Sequence, residues 1–192
     1  MCGLLNEQMG GPSINTYQPP GVWEEATFGK KKYVQDTGDK LYRRSLYIFW
    51  RRIIAPTMFF DNASRQTCTV KSLRTNTPLH ALLTLNETTY VESSRHLAER
   101  ILKDASVDND RDRMAMAFRR VTAREPEARE LDVLVSGLNR SRAEYSSAPK
   151  AAAKLLSVGD SKRDEMLPAV EHSAWTSACL TLLNMDETLN RE

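Results

Sequence analysis

The sequence predicts an all-α protein, an irregular helical bundle of six or seven helices with an extended N-terminal arm. Three observations favour this fold class. Apolar residues recur at three- and four-residue spacing from residue 40 onward. Polar or proline-containing breaks separate these segments, and after residue 77 most breaks are short, which favours antiparallel neighbouring helices. Gly and Pro are concentrated over residues 10–21, where no helix is expected.

The N-terminal region, residues 1–39, is predicted to be the truncated end of a helix followed by the extended arm. Leu4, Leu5 and Met9 have helical spacing, but the run is too short to form a stable helix alone. The chain is therefore expected to begin inside a natural domain.

Residues 40–192 are predicted to form the helical bundle domain. The first helix is expected over residues 40–54, where arginines flank one apolar stripe and Pro56 follows shortly after. Residues 57–76 show no clear period and are predicted to be irregular.

Six further helices complete the predicted bundle. Thr77 followed by Pro78 is a typical helix start, and Asn86 is expected to cap the next helix. Pro126 and Pro149 are expected to open two later helices. The other two are predicted from their apolar stripes alone.

Charge is distributed unevenly along the chain, although the formal net charge is only +2. Residues 30–74 hold eleven Lys and Arg against three acidic residues, whereas the rest holds sixteen basic and twenty-two acidic residues. The basic segment is either a surface for a polyanion or is compensated by the acidic remainder.

Composition excludes several classes of protein. Hydrophobic residues make up 41% and charged residues 27%, as in ordinary globular proteins. No window approaches 18 uncharged apolar residues, so no membrane span is predicted, and the N-terminus lacks the features of a secretory signal. The three cysteines stand in no CxxC arrangement, which excludes a covalently attached c-type haem and the common zinc motifs. No cofactor or metal is therefore predicted in this chain.

Five segments, in order, resemble one family of proteins. They are GGPSINTYQPPGVWEE, LYRRSLYIFWRR, TCTVKSLRTNTPLHALLTLNETTYVESSRHLAER, AFRRVTAREPEARELDVL and LLNMDETLNRE. From Gly3 to Glu192 the chain is similar to the C-terminal portion of planctomycete-specific domain one, a domain of unknown function. His80 departs from the family pattern, which usually has Gln at this position.

The resemblance implies a context and no reaction. Domains of this family follow cytochrome-c-like modules in large exported proteins, so a c-type haem is expected only in associated domains. An exported, periplasmic or cell-surface location is implied, in a redox or carbohydrate-processing setting. The implied partners are other domains of the parent protein or its missing N-terminal portion.

A polar segment before the bundle is the first candidate binding site. Its candidate residues are Asp61, Arg65, Cys68, Arg74, Asn76 and Thr77. Arg65 and Arg74 could hold an anionic group, assisted by the helix start at Thr77, as in a hydrolase or lyase acting on an anionic polysaccharide. Alternatively, these arginines fasten the segment to helix carboxylates and carbonyls, and Cys68 is a buried structural thiol.

A basic, aromatic stretch over residues 30–54 is the second candidate. Its polyanion-binding candidates are Lys31, Lys32, Arg43, Arg44, Arg51 and Arg52. They could bind an acidic polysaccharide, nucleic acid or lipid headgroups, but no nucleic-acid motif accompanies them. The alternative is that the aromatic stripe is core and that the arginines pair with acidic residues of the same protein.

These observations favour a non-catalytic helical module that serves as an interaction or scaffold domain in a larger exported protein. The polysaccharide-acting enzyme and the polyanion-binding module remain as alternatives.

Overall fold

A computed structural model of the chain describes residues 1–30, 32–49 and 77–189. These residues contain eight α-helices and two short 3₁₀ helices, and their only β-pairing is two isolated bridges. The predicted all-α fold class is confirmed. None of the helices within these ranges combines the length and hydrophobicity that a bilayer crossing requires.

The chain divides into two compact units. We call Leu4–His80 the arm unit, and Met1–Gly3 together with Ala81–Glu192 the bundle unit. The predicted boundary between residues 39 and 40 lies inside the arm unit. The change of unit falls within helix α2 (Pro78–Asn86).

The arm unit contains little helix. Besides α1 (Val22–Ala26), it has two 3₁₀ turns, Gly38–Tyr42 and Ser45–Tyr47. The predicted helix over residues 40–54 is therefore wrong for residues 40–49, and its remainder lies outside the described residues.

Tertiary backbone pairing explains this difference. Arg43 and Ile48 have extended backbones and form parallel bridges with Asn6 and Ile14. The Asn6 N–H donates to the Tyr42 carbonyl at 2.8 Å, so these groups are used between segments and not along a helix. For the same reason residues 1–8, where the end of a helix was expected, contain no helix.

An aromatic cluster stabilises the arm unit. Trp23, only 6% exposed, stacks on Tyr33 with ring centroids 5.4 Å apart and contacts Phe49 at 5.7 Å. The Tyr33 hydroxyl donates to the Thr16 carbonyl at 2.6 Å. Burial, with a smaller contribution from the charge of Asp36, raises the pKa of Tyr33 to about 12.

The bundle unit is built around one central helix. Its other helices are α3 (Thr88–Leu102), α4 (Asp110–Thr122), α5 (Ala128–Ser147), α6 (Pro149–Leu156), α7 (Ala169–Leu183) and α8 (Asp186–Leu189). Helix α7 packs against α3, α4, α5, α6 and α8. It can do so because α7 itself carries buried residues around its circumference. Among them, Ala174, Trp175 and Cys179 are fully buried.

Two helix starts follow the predicted chemistry and two differ from it. Thr77 and Pro78 open α2, and Pro149 is the first residue of α6. Pro126, expected to open α5, lies before the helix, because Glu127 caps it in a capping box with Glu130.

The predicted cap at Asn86 is wrong. Glu87 caps α3 instead, accepting from the Tyr90 N–H at 3.1 Å. Asn86 is the last residue of α2, and its side-chain amide donates to the Leu82 carbonyl one turn earlier.

The described cysteines are free thiols. Cys179 of α7 is completely buried in the core of the bundle unit, and burial raises its pKa to about 12. Cys2 is half-buried against the same core. Cys68 lies outside the described residues.

Candidate functional site

Most of the predicted site residues fall outside the described part of the chain. These are Lys31, Arg51, Arg52, Asp61, Arg65, Cys68, Arg74 and Asn76. Thr77 is described, and it takes part in the start of α2. Its backbone N–H donates to His80 Nδ1 at 3.1 Å, and its hydroxyl accepts from the His80 N–H at 3.4 Å. The anion-binding prediction for residues 61–77 stays a prediction.

Three predicted polyanion contacts can be placed, and they differ. Lys32 and Arg44 are exposed. Arg43 is buried, and its guanidinium donates to the carbonyls of Gln8 (3.1 Å), Gly10 and Pro12 (3.0 Å).

The Arg43 guanidinium also lies 3.7 Å from the centre of the Tyr47 ring. The N–H groups of Arg43 bind backbone carbonyls of the arm, so this side chain does not form part of the exposed basic surface. The polyanion prediction for Lys32 and Arg44 remains a prediction.

The bundle unit contains a group of buried and partly buried polar side chains that the sequence analysis did not identify. We call it the buried cluster. Its members are Glu92, Arg95, His96 and Glu99 of α3, Ser161 and Asp164 of the α6–α7 connection, and His172 of α7. The side chains of Glu92 and Arg95 are each 1% exposed and His172 is fully buried, so their charges and polar atoms need partners inside the protein.

Helical spacing brings the α3 members to one face. Glu92, Arg95, His96 and Glu99 follow at intervals of three, one and three residues, which places them on one side of an α-helix. The intervening apolar residues point to the core. A polar side of this kind beside a buried apolar side is the signal in the sequence that could have revealed the cluster.

Arg95 organises the connection between α6 and α7, residues 157–168, which we call the strap. Its Nη1 donates to the carbonyls of Leu156 (2.7 Å) and Val158 (3.2 Å). Its Nη2 donates to the carbonyl and hydroxyl oxygens of Ser161 at 2.5 and 2.6 Å. The guanidinium thereby satisfies the carbonyl of Leu156, which the helix end leaves without a donor, and two carbonyls of the strap.

Two carboxylates of α3 bind backbone amides of the strap. Glu92 Oε1 accepts from the Ser161 N–H at 2.7 Å and from its hydroxyl, and lies 3.6 Å from Arg95 Nη2. Glu99 Oε1 accepts from the Asp164 N–H at 3.0 Å. These contacts fix the strap at two points along the helix.

Gly159 lets the strap approach α3 closely. Its φ is +93°, and a Cβ at this position would lie 2.3 Å from Glu92 Cδ. Both the backbone conformation and the lack of space require glycine here.

Two histidines complete the buried cluster. His96 Nε2 lies 2.8 Å from Ser161 Oγ, and His172 Nε2 lies 3.3 Å from the Arg95 carbonyl. Burial lowers the pKa of both imidazoles, against an opposing effect from the carboxylate of Glu99. The neutral form of each is thereby favoured.

Ser161, His96 and Glu99 are the residue types of a hydrolase triad, but their geometry is unsuited to that role. The Ser161 hydroxyl has one proton, which it donates to Glu92, while its oxygen accepts from Arg95. His96 therefore has no serine proton to abstract. Its Nδ1 is 3.8 Å from Glu99 Oε2, beyond hydrogen-bonding distance. The buried cluster fastens the strap to α3.

Arg142 of α5 forms a second ionic centre. It contacts Asp110 through Nη1 and Nη2 at 2.5 and 2.8 Å, and Glu171 through Nε and Nη2 at 2.8 and 2.5 Å. Both carboxylates lie in the first turns of helices, α4 and α7, where negative charge is favourable. Glu171 also accepts from the Trp175 indole N–H at 2.8 Å. The arrangement joins three helices.

An open apolar groove of about 300 Å³ lies along the edge of the bundle unit. Its apolar lining consists of Phe118 of α4, Val133 and Leu134 of α5, and Met185 between α7 and α8. The charged residues Glu127, Arg129 and Glu130 also line it. Val133 is 66% exposed, so the groove presents apolar side chains to solvent.

Within the described ranges there is no group of three or more His, Cys, Asp or Glu side chains that could hold a metal ion. The fold and these contacts define a helical domain with an apolar core, a strap fastened by buried polar contacts and an apolar groove on its surface.

This chain belongs to the family PSD1, described as a protein of unknown function (DUF1553), whose family model matches residues 1–138. The predicted relationship to an uncharacterised domain family is thereby confirmed. Neither the curated proteins nor the solved structures include a match to the chain.

Proposed function

We propose that this chain is a non-catalytic helical module that acts as an interaction or scaffold domain within a larger protein. The apolar groove is the observation that carries this proposal. Val133 and its neighbours leave a small apolar surface in contact with water, which another protein surface could cover.

The chemistry of the buried cluster supports a structural role. The proton of Ser161 is bound by Glu92, and the groups of Arg95 and Glu99 are used to hold the strap. A nucleophile would need an available proton acceptor and unoccupied donors for a developing oxyanion.

The resemblance to planctomycete-specific domain one supplies the proposed context. The parent protein would be exported and would act in redox or carbohydrate-processing chemistry, with any c-type haem in associated domains. The partners of the module would then belong to the same assembly.

An apolar fluorescent dye, anilinonaphthalene sulfonate, tests the groove. We expect the folded chain to enhance its fluorescence and Val133→Glu to reduce the enhancement several-fold, because a charge would enter the groove. Val34→Glu is a matched control, since Val34 is 73% exposed in the arm unit. Equal dye binding by the wild type and Val133→Glu would count against the groove as a docking surface.

A fluorophosphonate probe tests the non-catalytic assignment. We expect no covalent labelling of Ser161 in the folded chain, measured by peptide mass spectrometry. Labelling that disappears in Ser161→Ala would overturn the proposal and favour a hydrolase.

A further inference from the structure

We infer that the outer face of α5 pairs, antiparallel and about a two-fold axis, with the same face of a second copy of this chain. This inference rests on the proposed interaction function and names its partner. It is carried by an unpartnered helix face, the adjoining apolar groove and the order of charges along the face.

The outer face of α5 is one continuous surface. We define it by Arg129, Val133, Gly137, Arg140 and Glu144, which lie within an arc of about 80° on a regular helix. All except Gly137, which is partly exposed, are exposed.

The face is open enough for another helix to approach. Val133 stands on it and also lines the apolar groove. A Cβ added at Gly137 would have no atom within 4 Å, so the helix backbone is accessible there. A helix crossing at this point could cover both Val133 and the groove beside it.

The charges of this face have no ion-pair partners among the described residues. Arg129, Arg140 and Glu144 form none, although Arg111, Arg124 and Arg142 in the same unit are all paired with carboxylates. Unpaired charges on an exposed helix face suit a partner with the complementary pattern.

Antiparallel symmetry creates that pattern from the chain itself. An axis between Ser136 and Gly137 sets Arg129 of each copy opposite Glu144 of the other, which gives two equivalent ion pairs. It also sets the aliphatic part of Arg140 over Val133 of the second copy. A parallel arrangement in register would place Arg129 against Arg129, so charge complementarity selects the antiparallel one.

Sedimentation velocity of the full chain over a concentration series tests the inference. We expect a monomer–dimer equilibrium. Arg129→Glu and Glu144→Arg should each raise the dimer dissociation constant about tenfold, because two ion pairs become like-charge contacts. The double variant Arg129→Glu/Glu144→Arg should restore the wild-type constant.

Lys154→Glu is the control for a change of net charge, since Lys154 is exposed on α6. It should leave the dissociation constant unchanged, and circular dichroism should show that every variant is folded. A chain that stays monomeric at all concentrations would overturn the inference, as would single variants without effect or a double variant that fails to restore association.

Failure of this inference can be told apart from failure of the proposed function. If the chain is monomeric but its groove binds the dye, the second copy is not the partner and the proposed interaction role stands. Labelled Ser161 would remove the non-catalytic role whether or not the chain dimerises.

Discussion

Glu92 of α3 contacts both the strap and Arg95 inside the buried cluster. Its carboxylate accepts from the amide and hydroxyl of Ser161 and lies beside the guanidinium of Arg95. The two charges are 1% exposed, so each depends on the other for compensation. Arg95 also donates hydrogen bonds to carbonyls of the strap, but these oxygens carry only partial negative charge.

We predict that Glu92→Ala lowers the free energy of unfolding by about 3–5 kcal/mol, because it leaves the Arg95 charge buried without its carboxylate. Urea denaturation followed by circular dichroism measures the change. Arg119→Ala is the control. Its ion pair with Glu125 is about half exposed or more on both sides and should contribute less than about 1 kcal/mol. Equal effects of the two substitutions would contradict the assigned role of the buried cluster.

Gly159 gives a second prediction for a single residue. Gly159→Ala should destabilise the protein by about 1–3 kcal/mol, because the left-handed backbone and the contact with Glu92 both disfavour a Cβ. Gly137→Ala, in open space within α5, should instead stabilise it by about 0.5–1 kcal/mol. Thermal denaturation at low concentration compares the two, and a stabilising Gly159→Ala would exclude close packing of the strap.

Helix α3 has two functions in the fold, one on each side. Its apolar side, with Leu97, Ala98 and Ile101 fully buried, belongs to the main core. Its polar side holds the strap through Glu92 and Arg95. The helix therefore stabilises a connection that has no helix or strand of its own.

Helix α4 provides the prediction at the scale of an element. Asn109 caps it, with Oδ1 accepting from the Asp112 N–H at 2.8 Å. Asn109→Ala should lower the free energy of unfolding by about 1 kcal/mol, measured by urea denaturation. Ser146→Ala, at an exposed position of α5, should change it by less than about 0.5 kcal/mol. A neutral Asn109→Ala would show that the cap is dispensable.

The stability of the whole molecule should depend on pH through its buried histidines. His172 has a lowered pKa because it is buried, so between its folded pKa and the unfolded value of about 6.5 the unfolded chain binds more protons. The contribution of the neutral imidazole is fully present above pH 6.5 and is lost as pH falls through the folded pKa. His96 adds an effect of the same sign.

We therefore predict that the free energy of unfolding falls as the pH is lowered below about 6.5, with a slope of up to about 1.4 kcal/mol per pH unit for each proton. Urea titrations at several pH values measure this slope. His172→Gln, which keeps a donor for the Arg95 carbonyl, should make it shallower. An unchanged slope in this variant would show that His172 does not carry the pH dependence.

The all-α class could be predicted because local signals are sufficient for it. Apolar spacing depends only on residues that are close in the chain. The same holds for the helix-start signals at Pro149 in α6 and at Thr77 and Pro78 in α2. The same local reasoning was wrong for residues 40–49. There, Arg43 and Ile48 bond to distant segments of the arm, and helical periodicity carries no information about such pairing.

The sequence by itself determined the helical class, the starts of α2 and α6 and the family to which the chain belongs. Only the tertiary structure decided that Arg43 is buried in the arm unit and that Glu92, Arg95 and Ser161 meet in the bundle unit. The physical reason is that periodicity and capping are local, whereas hydrogen bonds between residues 66 and 69 positions apart depend on how the helices pack. The face on which a charge lies can be read from its spacing, but the partner it meets there is set by the fold.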